Sequence, residues 1–134
     1  MTTAIATIDN NDNNAYTPNG FICTVNAETR EGAIQVANAL NDAKALNDMG
    51  DAHFLLAGVI TAEGVRSRTG EICVNTYLIA ADGNCYFTQS DGIRRSAEQI
   101  VALFNGDFGD GIEVAVSAKE LPNGNTLKTL HFYA

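Results

Sequence analysis

The chain has 134 residues, a formal net charge of −8, and 46% hydrophobic against 18% charged residues, the size of one domain able to bury a core without staples. No apolar run approaches the roughly 20 residues that cross a bilayer. The first segment, MTTAIATIDNNDNNAY, has neither the basic start nor the apolar stretch of a secretory signal, so a soluble, cytosolic protein without membrane contact is expected.

Residues 1–19 contain the polar run DNNDNN and the turn signal Pro18-Asn19-Gly20, and are expected to be a mobile tail ahead of a single domain over residues 20–134. Phe21 to Val25 alternates like a short strand. Ala33 to Leu40 fits either a second strand or the start of a helix running to Leu46. Asn41, Asp42, Asn47 and Asp48 weigh against a long helix, because short polar side chains compete for local backbone groups.

From residue 52 the periodicity sharpens. His53 to Val65 reads as a long strand, Ser67 to Gly70 as a turn, and Glu71 to Ala80 as a second strand. Alternation puts Ile72, Val74, Thr76, Leu78 and Ala80 on the core face, leaving Cys73, Asn75 and Tyr77 outside. Asp82-Gly83 is a hairpin turn. Asn84 to Gln89 follows as a strand with Cys85 and Phe87 inward and Tyr86 and Thr88 outward.

The period then becomes helical, with Ile93, Ala97, Ile100, Val101 and Phe104 on one stripe, Ser90 or Asp91 as cap, and Asn105-Gly106 as stop. Ile112, Val114, Val116 and Ala118 alternate as a fourth strand. Pro122 to Asn125 is a turn, and Thr126 to Tyr133 is a fifth strand of ambiguous inward face.

The fold class expected is therefore mainly β. The order of elements over residues 52–134 is that of the OB-type five-stranded barrel, with one helix between strands three and four, plus an N-terminal extension. Up-and-down barrels and α+β sandwiches share enough of this order to remain alternatives.

In an OB barrel the ligand lies on strands two and three, between the loops joining strands one to two and four to five. Arg66 and Arg68 lie at the first of these loops, and Lys119 and Lys128 flank the second. Tyr77, Tyr86 and Asn75 are expected on the exposed face between them, an arrangement suited to unpaired bases. Stacking on an aromatic ring contributes about 1 to 3 kcal/mol per base whatever the sequence, while cations hold the backbone. The charge balance adds a qualification, since the acid excess sits at the front. Residues 1–51 hold seven acids and two bases, residues 52–134 nine acids and six bases. Outward tyrosines can equally pack beneath a covering segment, for which Phe21 to Val25 is a candidate.

No catalytic or metal-binding constellation emerges. Asp107, Asp110 and Glu113 lack the EF-hand pattern. His53 and His131 are isolated in sequence and read as structural histidines. There is no GxSxG elbow and no P-loop. The three cysteines, Cys23, Cys73 and Cys85, have no metal spacing and read as small buried hydrophobes.

Four stretches carry a family resemblance: Thr69 to Ala80 (TGEICVNTYLIA), Ala81 to Thr88 (ADGNCYFT), Ser90 to Phe104 (SDGIRRSAEQIVALF) and Asn123 to Phe132 (NGNTLKTLHF). In these the chain resembles the single-stranded DNA-binding proteins of small protein-primed tailed phages of the phi-twenty-nine kind. Val36 to Gly50 is more loosely similar to the strand and short helical turn that precede the barrel in that family. The resemblance implies sequence-tolerant binding of single-stranded DNA in phage DNA replication, protecting displaced strands in the cytoplasm of the infected host cell. It implies no cofactor and no catalysis, and maps the groove onto Tyr77, Tyr86, Arg66, Arg68 and Lys128. Phage replication proteins and neighbouring copies along the strand are the further partners expected. The alternative is a protein-interaction module or small virion component that binds no nucleic acid.

Overall fold

The computed structural model describes residues 22–49 and 52–134. The tail expected over residues 1–19, the Pro18-Asn19-Gly20 turn and Phe21 lie outside the described residues. The protein is mainly β, with a curled open sheet of six strands and two helices among the described residues. In chain order these are α1 (Arg30–Asp42), β1 (Lys44–Ala45), a 3-10 turn (Leu46–Met49), β2 (His53–Val65), β3 (Ile72–Ala80), β4 (Cys85–Thr88), α2 (Asp91–Phe104), β5 (Ile112–Glu120) and β6 (Thr126–Phe132). The sheet order is β1-β4-β3-β2-β5-β6, so β2 lies between the β3–β4 and β5–β6 hairpins. An OB-type barrel is compatible with this order.

The five long strands and α2 fall where the hydrophobic period puts them. Two elements go beyond that expectation, both from the segment left undecided between strand and helix. Residues 30–42 form a helix because Val36, Ala39 and Ala43 recur on one side and pack on the outer face of the sheet. The Thr29 side chain caps its start by accepting from Gly32 N–H. It does not run to Leu46: the helix ends at Asp42, beside Asn41, and β1 then pairs in parallel with β4. A strand and a short helical turn thus precede β2. The Phe21–Val25 strand is reduced, among the described residues, to a bridge between Cys23 and Ile60.

The long β2 is shared. From Leu56 to Val65 it pairs with β3, its first four residues pair with β5, and beyond a bulge near Ala57 its Val59 accepts from Thr24 N–H and its Thr61 N–H donates to Ile22 O. The bulge explains why Leu56 and Val59, an odd spacing apart, are both fully buried on one side. Inside the curl, Leu56, Val59, Leu78, Val114 and Leu130 meet the stripe Ile93, Ala97, Ile100 and Val101 of α2. Outside it, α1 covers a smaller cluster of Cys23, Ile60, Ile79 and Cys85. The inward face of β6 is that of Leu130 and Phe132, with Leu127 and Tyr133 turned out.

Helix α2 is fastened to β6 at close range. A Cβ added at Gly92 would lie 2.1 Å from the Lys128 carbonyl oxygen, so only glycine permits this approach. One turn on, the Ser96 hydroxyl accepts the buried Leu130 N–H at 3.1 Å while donating to Gly92 O. No helix among the described residues is long and apolar enough to cross a membrane. Ser96→Ala leaves the Leu130 N–H buried without its partner and should lower unfolding free energy by about 1–3 kcal/mol. Urea denaturation of the two proteins checks this, and equal midpoints would show that α2 and β6 are held without that bond.

Candidate nucleic-acid interface

The β2–β3 hairpin carries two of the expected cations at its tip. Gly70, at φ +74°, turns the chain so that its N–H reaches Arg66 O and the Arg66 N–H reaches Glu71 O. Arg68 is exposed and Arg66 half-buried, while the cross-strand pair Val65 and Ile72 beside them is left largely in solvent.

Away from the tip, the outer face of β3 presents Asn75 and Tyr77, both half-buried. Tyr77 lies opposite Phe87 of β4, their ring centroids 6.2 Å apart and inclined by 37°. Gln89, just past β4, donates to Asn75 Oδ1 at 2.9 Å. The Asn75 amide rests on Gly64, where an added Cβ would come within 2.4 Å of it. This fixes the amide's position through its oxygen, with no bond from its own donors among the described residues. One flank of the patch meets the α1 cluster, against which Tyr77 packs.

Tyr86 does not share this face. Alternation from a two-residue turn points it outward, but it is only 6% exposed and joins the inner core, tilted against Phe54 at 5.1 Å. The reason is the length of the β3–β4 connection. A two-residue turn at Asp82-Gly83 would oppose Tyr86 to Ile79 on the outer side. The observed loop is longer by one: Ala80 N–H donates to Asn84 O, Gly83 takes φ +94°, and Leu78 becomes the partner of Tyr86. A one-residue change in register exchanges the two faces of a strand, so Tyr86 and Thr88 turn in and Phe87 turns out. Phe87 and Gln89 are thus the residues that sequence reasoning missed, and counting three loop residues before a closing Ala80–Asn84 pair would have found them. Burial, with the nearby charges of Asp82 and Cys85, raises the Tyr86 phenol above its ordinary pKa.

The remaining cations are dispersed. Lys119 is exposed near the end of β5. Lys128 is half-buried on β6 and its Nζ donates to Asn47 Oδ1 at 3.0 Å, joining β6 to the turn that follows β1. Arg94 is engaged by Asp91 and Glu98 along α2, and Arg95 is exposed. The acids Asp107, Asp110 and Glu113 do not converge: Asp107 accepts from Gly109 N–H within its turn, and Glu113 pairs with His53. His53 and His131, distant in sequence, instead meet around the Tyr133 ring.

Cys23 and Cys85 are buried, and burial pushes both thiols up from 9.0 to about 11. A family model described as Phage Single-stranded DNA-binding protein matches residues 15–132 of the chain. Comparison with curated proteins and with solved structures returned no match.

Burial of Tyr86, Cys23 and Cys85 has two consequences. Tyr86→Ala should cost about 3–5 kcal/mol of stability in urea unfolding, as for other large aromatic truncations in cores, and an unchanged midpoint would contradict its burial. Because Cys23, Cys85 and Tyr86 release their protons at higher pH folded than unfolded, their full contribution is present below pH 9, where the unfolded thiols are still protonated. The contribution of the two thiols is lost as pH rises through about 11. Thermal unfolding measured from pH 8 to 11 checks this, and a flat or rising profile would contradict it.

Proposed function

The chain belongs to the family of phage single-stranded DNA-binding proteins, and from that membership we propose that it coats displaced strands during phage DNA synthesis, inside the infected host. It does so without regard to base sequence and makes or breaks no covalent bond. The strand lies over the outer face of β3 and β4, with bases against Tyr77 and Phe87 and the backbone drawn toward Arg66 and Arg68. Asn75 and Gln89 offer polar groups to base edges between these two sets.

The observation that carries this reading is the convergence of Tyr77 and Phe87 on one partly open face beside an arginine-bearing hairpin tip. Rings of this kind suit any base, since each base has a π face, and a purely stacking site is sequence-tolerant for that reason. Tyr86 takes no part, because its ring supports the core. Lys128 contributes chiefly by its bond to Asn47, and Lys119 offers an outlying charge.

The fold is compatible with the same reading. Strand β2 pairs with both β3 and β5, and α2 falls between the third and fourth long strands, an order that an OB-type barrel over residues 52–134 would share. The β3–β4 face then corresponds to the surface on which such barrels hold oligonucleotides. Phage replication proteins and further copies of the chain are the partners such coating calls for.

Titration of labelled oligo(dT) in parallel with a duplex of equal length tests the proposal. Tyr77→Ala and Phe87→Ala should each weaken single-strand binding by about 1–3 kcal/mol. Removing Arg66 should lower the slope of log affinity against log salt by about 0.7. Equal affinity for the duplex, or wild-type affinity in the Tyr77→Ala, Phe87→Ala double variant, would overturn it.

A further inference from the structure

A second group of rings lies elsewhere on the same outer surface. His53 opens β2, and His131 and Tyr133 stand at the end of β6. The neighbours Ala115 and His131 bring these strands together through β5. The His53 and Tyr133 rings are stacked, 5.3 Å apart and 17° from parallel, and the His131 ring meets Tyr133 edge-on at 4.8 Å. None of the three is sequestered: Tyr133 is 41% exposed, the His53 side chain 51%, and His131 is exposed as well. Leu55, the next outward residue of β2, is 48% exposed beside them.

The inward residues of the same strands, Phe54, Val114 and Leu130, are the ones that fill the core. What the three rings provide is a stack already ordered in the absence of ligand, with the nearby carboxylate, Glu113, held by His53 Nε2. A base that joins such a stack meets flat surfaces already in place, and little side-chain freedom is lost when it binds.

We propose that His53, Tyr133 and His131 form a second nucleobase-stacking platform, taking a base of the same single strand whose other bases lie on Tyr77 and Phe87. The proposal rests on the reading of the β3–β4 face given above. His53 precedes Ile60, the β2 partner of Tyr77, by seven residues, about 23 Å at roughly 3.3 Å per residue. The second platform is therefore reached only by a strand several nucleotides long, and its contribution depends on oligonucleotide length.

That length dependence is the test. Binding of the full chain to dT4 and dT16, which span the roughly 4–16 nucleotides an OB fold covers, is measured for wild type and three variants. These are Tyr77→Ala, the His131→Ala, Tyr133→Ala double variant, and Tyr133→Leu, which keeps the bulk on the sheet but has no π face. The double variant should bind dT4 as wild type does and dT16 at least about fivefold more weakly, the lower end of what one stacked base supplies. Tyr133→Leu should reproduce part of that loss without a lowered melting temperature, which separates stacking from a merely structural role. Tyr77→Ala should weaken both oligonucleotides. Wild-type dT16 affinity in the double variant, with Tyr77→Ala still impaired, would overturn the second platform and leave the first standing. Unimpaired Tyr77→Ala would overturn the reading on which both rest.

Discussion

The connection between β3 and β4 governs which side chains the outer face of the sheet presents. Three residues, Ala81 to Gly83, separate the closing pair Ala80 and Asn84, and their number fixes which side of β4 each ring takes. With Leu78 opposite Tyr86, one aromatic is committed to the core and its neighbour Phe87 is released to stand beside Tyr77. Gly83 makes the loop possible by accepting a positive φ. The Asp82 carboxylate adds to it by accepting the Asn84 N–H. A stable interior and a usable exterior are thus set by the same turn, because a strand cannot change one face without changing the other.

Much of the architecture is legible in the sequence because its strands alternate and its second helix has a clean stripe. The bounds of β2 follow from His53 to Val65, and Ser90 and Asn105 mark the ends of α2. Two features are not legible, for separate physical reasons. The first helix buries little beyond Gly32 and Ala39, so its period is weak and its stability comes from lying on Ile60, Ile79 and Cys85 rather than from propensity. The face of Tyr86 escapes sequence reasoning because Cys85, Tyr86 and Phe87 are all able to be buried, and composition cannot choose among them. Likewise, nothing in the sequence joins His53 to Tyr133; only the pairing of β5 with both β2 and β6 does so.

The net charge of −8 sets the balance of forces in any complex with a polyanion. Each phosphate contact contributes through release of condensed counterions, and this chain has few cations to spend on such contacts, with Arg94 and Lys128 already engaged within the protein. In the proposed complex stacking, at about 1 to 3 kcal/mol per base, outweighs them. Such an interface favours unpaired over paired strands for a direct reason, since the faces it uses are hidden within a duplex.

The most direct measurement of this claim is an aromatic NMR titration of the protein with oligo(dT). Bases stacked on the outer face should move the ring resonances of Tyr77 and Phe87 while leaving those of Tyr86, enclosed against Phe54, in place. Shifts at Tyr86 with Tyr77 and Phe87 unmoved would contradict the account, because the bound strand would then lie on the side of the sheet that the core occupies.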